Sequence, residues 1–442
     1  MRILIFGKEI KLKPLIPCLG IFMVLLSLRD FIGLEVPAIL FLILTFFVAA
    51  FAEKTEVVTF CFCCIPVLNA FQSKYALLIC MALYLIRFAK ITIVPFQLVL
   101  IALLAMWEIS HGSTGEFSLI EVFRLFTELF FCCFIMSLSP ESINFKRIVR
   151  SMSVVAVCAY SILLLSQLQQ HGFQIASLFS SAFRLGYGVD ETKMSIGFNP
   201  NYLAYICLCC IEGIVLLIYK KQGKFIDLVC LFALSVFGAL TMSKKFFLCV
   251  AVLVFLICLN RKRKIKSLLL IGVIAVVGVF VFYKLFPMAV DTILTRFRVD
   301  DILTGRSEIF AFFNQKLSND MHLLFYGVGL QGYESKLLTR YNFSIPHNGF
   351  QELLVMWGLP GLVMFVAFLF SVIYRAKKLN RKIRFVNYIP FIIMMVNVQV
   401  SQMVSSSVVS ILLAFVYICL ITDMNIGEIK KRSVFEGVNN VN

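Results

Sequence analysis

Charge is what this sequence has least of. Only 15% of its 442 residues are Asp, Glu, Lys or Arg, whereas 61% are hydrophobic and 46 are Phe. Soluble domains carry about 25% charged and roughly 45–50% apolar residues, so too little polar surface is present to coat a water-facing globule. That shortage excludes a soluble enzyme or a soluble binding module. Histidine is scarce as well. His111, His171, His322 and His347 show no metal-ligand spacing and no H-E-x-x-H occurs, so neither a metal nor another cofactor is expected. No low-complexity tract and no internal repeat is visible. The basic stretch Met1–Lys13 leads into apolar runs without a small-residue cleavage site, so a cleavable signal peptide is not expected.

What the chain has in quantity is apolar runs. A helix needs about 20 mostly apolar residues to cross a bilayer. Candidate spans lie near 14–28, 36–52, 57–72, 75–90, 92–110, 119–138, 149–166, 201–219, 225–242, 246–260, 267–286, 349–374, 387–404 and 408–422. The expected fold is an all-α polytopic membrane protein with about 14 transmembrane helices. The runs 57–72 and 75–90 are short and nearly fused. Three regions follow from this. Residues 1–286 form an N-terminal transmembrane bundle of about 11 spans, with an outer loop at 167–200. Residues 287–346 form a large extracytoplasmic loop, and 347–442 the C-terminal transmembrane helices and a cytoplasmic tail.

The basic residues test that count independently. With a cytoplasmic N-terminus, the inside segments hold Arg2, Lys8, Lys11 and Lys13; Lys54; Arg87 and Lys90; Lys146, Arg147 and Arg150; and Lys220, Lys221 and Lys224. The basic groups of 261–266, 375–384 and 430–432 complete the set. Together these are about two-thirds of the 41 Lys and Arg, and the outside segments 111–118 and 400–407 hold none. Short cytoplasmic loops of membrane proteins are basic, so both termini are expected on the inner side of the cytoplasmic membrane. The net charge of +17 then reports orientation, and no nucleic-acid partner is expected.

All fifteen cysteines fall inside expected spans, which leaves the outer loops without a disulfide framework. Cys61–Cys64 and Cys207–Cys210 match C-x-x-C, but each pair lies in an apolar run rather than on a zinc knuckle or a redox turn. Packing between helices is the role expected of them.

Chemistry is expected on the outer side, where the long connections 167–200 and 287–346 lie, because long loops between spans are usually functional. The second connection runs into SIPHNGFQELLVMWGLPG. Pro346 closes the loop, Asn348 is placed to cap the next helix, and Gln351 completes a capping-box-like pair. His347 thus stands at a membrane–water boundary. Upstream, Arg306 precedes a short amphipathic stretch, and Gly327, Gly329 and Gly332 satisfy G-x-G-x-x-G. A dinucleotide fingerprint needs a βαβ unit around it, so tight turns with close backbone approach are the better reading. The other long loop ends in Asn199-Pro200-Asn201, a turn and helix cap. Lys244 and Lys245 stand where a span reaches the outer face, against the charge bias. A diphosphate or anionic lipid head group would hold them there, and snorkelling is the plainer reading. Within a span, Glu121, Arg124 and Glu128 share one helical face, suited to neutralising one another or to contacting substrate.

In this order, these motifs resemble those of the O-antigen ligase and polymerase superfamily. They are Gly197-Phe198-Asn199-Pro200-Asn201 before a middle span, Thr241-x-Ser243-Lys244 at a span end, and Thr304-Gly305-Arg306 in the loop. Gly327-Val328-Gly329 with Tyr333 follows, then His347-Asn348 and, after nine intervening residues, Gly358-x-x-Gly361. The likeness covers roughly residues 190–375 by motif and the whole chain by topology. The departure is Lys244, where the family more often has arginine; a lysine meets a diphosphate as a point charge rather than a bidentate fork.

The resemblance implies a metal-independent membrane glycosyltransferase whose donor is a glycan on undecaprenyl diphosphate. His347 is the implied base for an acceptor hydroxyl, a task neutral imidazole suits at pH 7. Arg306 and Lys244 would hold the leaving diphosphate. Lys245, Asn199, Asn201, Asn348, Arg124 and Glu352 are further substrate-contact candidates, with Glu352 a fallback base. Implied partners are the lipid-linked oligosaccharide, membrane lipid, a flippase and chain-length regulator proteins. A polymerase of repeat units for O-antigen, capsule or exopolysaccharide is the first reading. A ligase transferring glycan to lipid A–core is the second. The alternative of another class is a flippase or transporter, which calls for charges along a central cavity and two related halves.

Overall fold

The computed structural model describes residues 2–5, 8–11, 14–67, 73–88, 92, 94–111, 119–174, 178, 183–187, 199–260, 284, 306–330, 346, 348–380, 382–399 and 408–423. Among these the chain is helical apart from one short addition to the expected all-α fold. Arg2–Ile5 (β1) pairs antiparallel with Lys8–Lys11 (β2) ahead of the first helix.

The helices are α1 (Leu15–Asp30), α2 (Ile39–Phe51), α3 (Lys54–Cys64), α4 (Ser73–Phe88), α5 (Pro95–His111), α6 (Leu119–Ser137) and α7 (Phe145–Gln170). Then come α8 (Pro200–Tyr219), α9 (Phe225–Leu240) and α10 (Lys244–Leu259). The loop segment contributes α11 (Arg306–Asn319) and α12 (Met321–Phe325), and α13 (Gly349–Leu379), α14 (Phe385–Gln399) and α15 (Val408–Ile421) complete the set. Three stretches are long and apolar enough to cross a membrane: Pro140–Gln170, Pro200–Tyr219 and Gly349–Leu379. Seven shorter apolar helices of 10–17 residues accompany them. The expected span at 267–286 lies, apart from Lys284, outside the described residues, as does the tail beyond 423.

The outside of this bundle is as apolar as its inside. On α9, Phe225 and Phe232 are 80% and 74% exposed, beside exposed Leu228 and Val229. Water would penalise such a face, whereas lipid tails solvate it. All fifteen cysteines are free thiols, and all but the half-buried Cys158 are buried, in keeping with a packing role.

With no water inside, polar side chains must find partners at the helix ends or across helices. At one end Arg147 bridges to Glu56 at 2.6 Å. Arg150 grips Asp227 with both Nε and Nη2, at 2.9 Å each, and donates to the carbonyl of Gln222. The buried ammonium of Lys220 pairs with Asp423 at 2.8 Å, and Asp423 also accepts from Asn387.

At the other end, two backbones cross. Gly327 and Gly358 both have positive φ (80° and 64°), a region that glycine enters without steric cost. A Cβ on Gly327 would meet the carbonyl of Met356, and one on Gly358 the carbonyl of Phe325. The reading of these glycines as tight turns with close backbone approach therefore holds at Gly327; Gly329 shares the positive φ but is packed against the side chain of His111, and Gly332 lies outside the described residues. At Gly358, with Pro360 just beyond, α13 breaks from helical geometry; proline there removes an N–H from the ladder. Glu108 closes the crossing. Its carboxylate accepts from the Leu330 N–H at 3.0 and 3.1 Å and from the indole N–H of Trp357 at 2.6 Å. Trp107 donates to the Trp357 carbonyl at 2.8 Å, and His111 sits between the carbonyls of Trp107 and Tyr326.

Two variants test this junction. Gly327→Ala forces a Cβ into backbone and should destabilise the extracted protein well beyond an ordinary surface change. Glu108→Gln turns one acceptor into a donor facing N–H groups, and should cost on the order of 1.5–3 kcal/mol. Thermal unfolding in detergent, followed by tryptophan fluorescence, reads both, since the only two tryptophans lie here. Unchanged midpoints in both variants would rule out the junction as a stabilising element.

Candidate functional site

The candidate site is built from helix starts. Asn199 caps α8, its Oδ1 accepting from the Asn201 N–H at 2.9 Å, and Pro200 occupies the first helical position. Proline suits that position because its missing N–H would be unpaired in any case. Ser243 precedes α10 but does not cap it; its hydroxyl reaches across to the Asn201 Oδ1 at 2.9 Å. The starts of α8 and α10 are thereby tied together.

Residues 183–187 of the first long loop lie over the same corner. Leu185 N–H donates to the Leu240 carbonyl at 2.9 Å, and Arg184 Nε to the Thr241 carbonyl at 3.1 Å. Gln167, at the end of α7, holds this segment through the Gly186 N–H and the carbonyls of Arg184 and Tyr187. Arg184 thus joins Lys244 and Lys245 as a third cation near one helix start.

Between these helices is a narrow cleft lined by Asn201, Ala204, Tyr205 and Leu208 of α8, Lys245, Phe246 and Cys249 of α10, and Asn397 of α14. Two residues past Asn397, Gln399 accepts from Asn348 Nδ2 through its backbone carbonyl (3.0 Å) and its Oε1 (3.3 Å). The end of α14 therefore links the cleft to the start of α13. There Asn348 is the cap the sequence predicts, its Oδ1 accepting from the N–H groups of Phe350 and Gln351 at 3.0 and 3.1 Å.

The second half of the expected capping-box pair is not made. Gln351 turns away, donating to the Phe310 carbonyl at 2.8 Å and to Asn314 Oδ1 at 2.9 Å. The reason is competition: α11 brings two acceptors from the loop within reach of the amide. Glu352 follows, wholly buried in the first turn.

The electrostatics of this corner favour an anion. A helix N-terminus carries partial positive charge, which stabilises anions and repels cations. Lys244 and Lys245 are the first two residues of α10, both half-buried. Their placement against the dipole is relieved when a negative group sits among them.

Among the sequence-predicted residues, Asn199, Asn201, Lys244, Lys245 and Asn348 fall in this one neighbourhood, and Glu352 lies just inside it. Arg306 opens α11, one turn before Phe310, which receives Gln351; only its backbone is described. The same holds for Arg124 on α6, whose neighbour Glu128 is fully buried. His347 lies outside the described residues, between Pro346 and Asn348. Sequence reading missed Arg184, Asn397, Gln399 and Asn314. A signal for two of these existed, because amides near the end of an apolar helix are costly unless used. Among the described residues no cluster of His, Cys, Asp or Glu suits a metal ion. No protein-family model and no curated protein matches this sequence.

Asn348 separates two roles by substitution. Asn348→Ala loses the cap and should cost about 1 kcal/mol of stability. Asn348→Asp keeps the cap oxygen but loses the donor to Gln399, and should be closer to wild type. Equal loss in both, measured by thermal unfolding, would assign the effect to the Gln399 link instead.

Proposed function

We propose that this protein is a polymerase of lipid-linked oligosaccharide repeat units, working at the outer face of the cytoplasmic membrane with both termini inside. One observation carries the reading. In a bundle with few charges, the starts of α8 and α10 meet at a cleft that bears Lys245, Asn201 and Asn397, with Lys244 and Arg184 beside it. Cations and helix N-termini together suit a diphosphate, and the surrounding apolar surface suits its lipid.

In the proposed reaction a hydroxyl of the incoming repeat unit attacks the anomeric carbon of the growing chain. His347 takes the hydroxyl proton as the new glycosidic bond forms. The bond between anomeric carbon and diphosphate oxygen breaks, and undecaprenyl diphosphate leaves with the electron pair. Arg306, Lys244 and Lys245 stabilise its charge, while Asn201 and Asn348 orient the sugars. Diphosphate is a good leaving group, so cations matter more here than a strong acid.

The contacts between segments agree with which segments the charge alternation groups on one side. Arg147–Glu56, Arg150–Asp227 and Lys220–Asp423 each join segments that the charge alternation puts inside. Glu108–Leu330, Arg184–Thr241 and Asn348–Gln399 each join segments that it puts outside.

Three experiments test the proposal. A membrane-impermeant maleimide should label Ser318→Cys on intact cells and Lys378→Cys only after disruption; the reverse pattern would overturn the topology. Arg306→Ala should lower activity roughly ten- to a hundredfold, as loss of a charge-assisted contact does, and Arg306→Lys less. Full activity in both would remove Arg306 from the site. In a deletion strain, His347→Ala and His347→Gln should insert normally yet accumulate single lipid-linked repeat units, since glutamine accepts no proton at neutral pH. Normal-length polymer from either variant would refute the base. Polymer made but left unattached to core lipid would identify a ligase.

A further inference from the structure

His111, the last residue of α5, is buried, and both of its ring nitrogens are engaged. Nδ1 lies 2.8 Å from the carbonyl oxygen of Trp107, one turn back on the same helix. Nε2 lies 2.7 Å from the carbonyl oxygen of Tyr326, just past α12. A carbonyl oxygen only accepts hydrogen bonds, and neutral imidazole carries a single N–H, its other nitrogen being an acceptor. Either neutral tautomer therefore sets a nitrogen lone pair against an oxygen lone pair at hydrogen-bond distance. Imidazolium, with two N–H groups, donates to both carbonyls.

The charges and rings around His111 favour the same form. Glu108 stands three residues earlier on the same helical face and is 3% exposed. Its carboxylate accepts from the Leu330 N–H and the Trp357 indole, both neutral donors. A buried carboxylate with neutral partners needs a positive charge nearby, and among the described residues no Lys or Arg bridges to it. Gly329 sits between the two groups: a Cβ there would meet the His111 side chain at 2.7 Å and Oε1 of Glu108 at 3.5 Å.

The Tyr326 ring covers the imidazole, with centroids 4.3 Å apart and planes tilted by 31°, and Trp107 lies 5.7 Å away. Aromatic rings at such distances attract a cation. The other titratable neighbours come from the docked segment. They are the Tyr326 phenol, which donates to the Ser110 carbonyl at 3.0 Å, and His322, whose ring lies 5.2 Å from that of Tyr326. From α13 comes the Trp357 indole, which does not titrate.

We propose that His111 is a protonated clamp: as imidazolium it ties the Tyr326 carbonyl to α5 and holds segment 306–330 on the bundle, and loss of its proton loosens that contact. The clamp does not depend on the glycan-transfer reading. Its direction with pH follows from which form donates twice. The contact is complete while His111 carries its second proton and weakens as pH rises and that proton passes to solvent. Since Asp320 alone separates α11 from α12, the clamp also governs how firmly α11 sits against Gln351.

The test begins with the protonation state. The chain has four histidines, so a full-length protein carrying His171→Gln, His322→Gln and His347→Gln keeps His111 alone. NMR of the ring nitrogens in that protein, isotope-labelled and in lipid nanodiscs at about pH 6, should show a proton on each, whereas a histidine buried for packing alone is neutral there. One bare ring nitrogen would overturn the proposal. Hydrogen–deuterium exchange of peptides covering 321–330 reads the clamp itself, with His111→Gln as the reference in each buffer to cancel the intrinsic effect of pH on exchange. Glutamine donates from one nitrogen and cannot span both carbonyls, so near pH 6 the wild type should exchange roughly tenfold more slowly. By about pH 9, where histidine is neutral, most of that difference should be gone. A protection ratio that stays constant over this range would overturn the clamp. Should His111→Gln fail to fold, the NMR result decides alone.

Discussion

The segment 306–330 and the apolar bundle are joined where Gly327 and Gly358 let two backbones touch, and the carboxylate of Glu108 closes that contact. A loop laid on a membrane-facing bundle carries N–H groups that need acceptors, and an apolar bundle supplies few. Glu108 answers that need for Leu330 and Trp357 together. Because α12 ends at this crossing and α11 precedes it, fixing the crossing also fixes α11 beside the start of α13. The amide of Gln351 then finds Phe310 and Asn314. The candidate site thus inherits its geometry from a contact that involves none of its proposed catalytic groups.

Polar side chains sort themselves by the same constraint. Ion pairs gather at the helix ends that carry the basic loops, and amides and lysines gather where α8, α10 and α13 begin. Two described carboxyls depart from this pattern, Glu128 within α6 and Glu212 within α8, both buried mid-helix. A glycan transferase needs only the cleft at the starts of α8 and α10, where diphosphate and sugar hydroxyls would meet.

Much of the arrangement was legible in the sequence, for reasons that are local. Asn199-Pro200 and Asn348 signal helix starts through their own side chains and backbones, and the structure uses them so. Gly327 and Gly329 signal turns for the same reason. The Gln351 capping partner was misread because its amide had an option that only tertiary structure reveals. Glu108 and Asn397 passed unnoticed in apolar runs, since their partners, Leu330 and the cleft, come from segments more than a hundred residues away. The short hairpin Arg2–Ile5/Lys8–Lys11 also lay outside a reading tuned to spans.

The central claim is that the cleft among α8, α10 and α14 recognises a polyprenyl diphosphate. Native mass spectrometry of the purified protein in lipid nanodiscs, titrated with undecaprenyl diphosphate, tests it without requiring the acceptor sugar. The account predicts one bound lipid per chain, at least tenfold tighter than undecaprenyl alcohol, with that preference lost in a folded Lys244→Ala/Lys245→Ala protein. Equal binding of the diphosphate and the alcohol, or a preference that survives loss of both lysines, would contradict it.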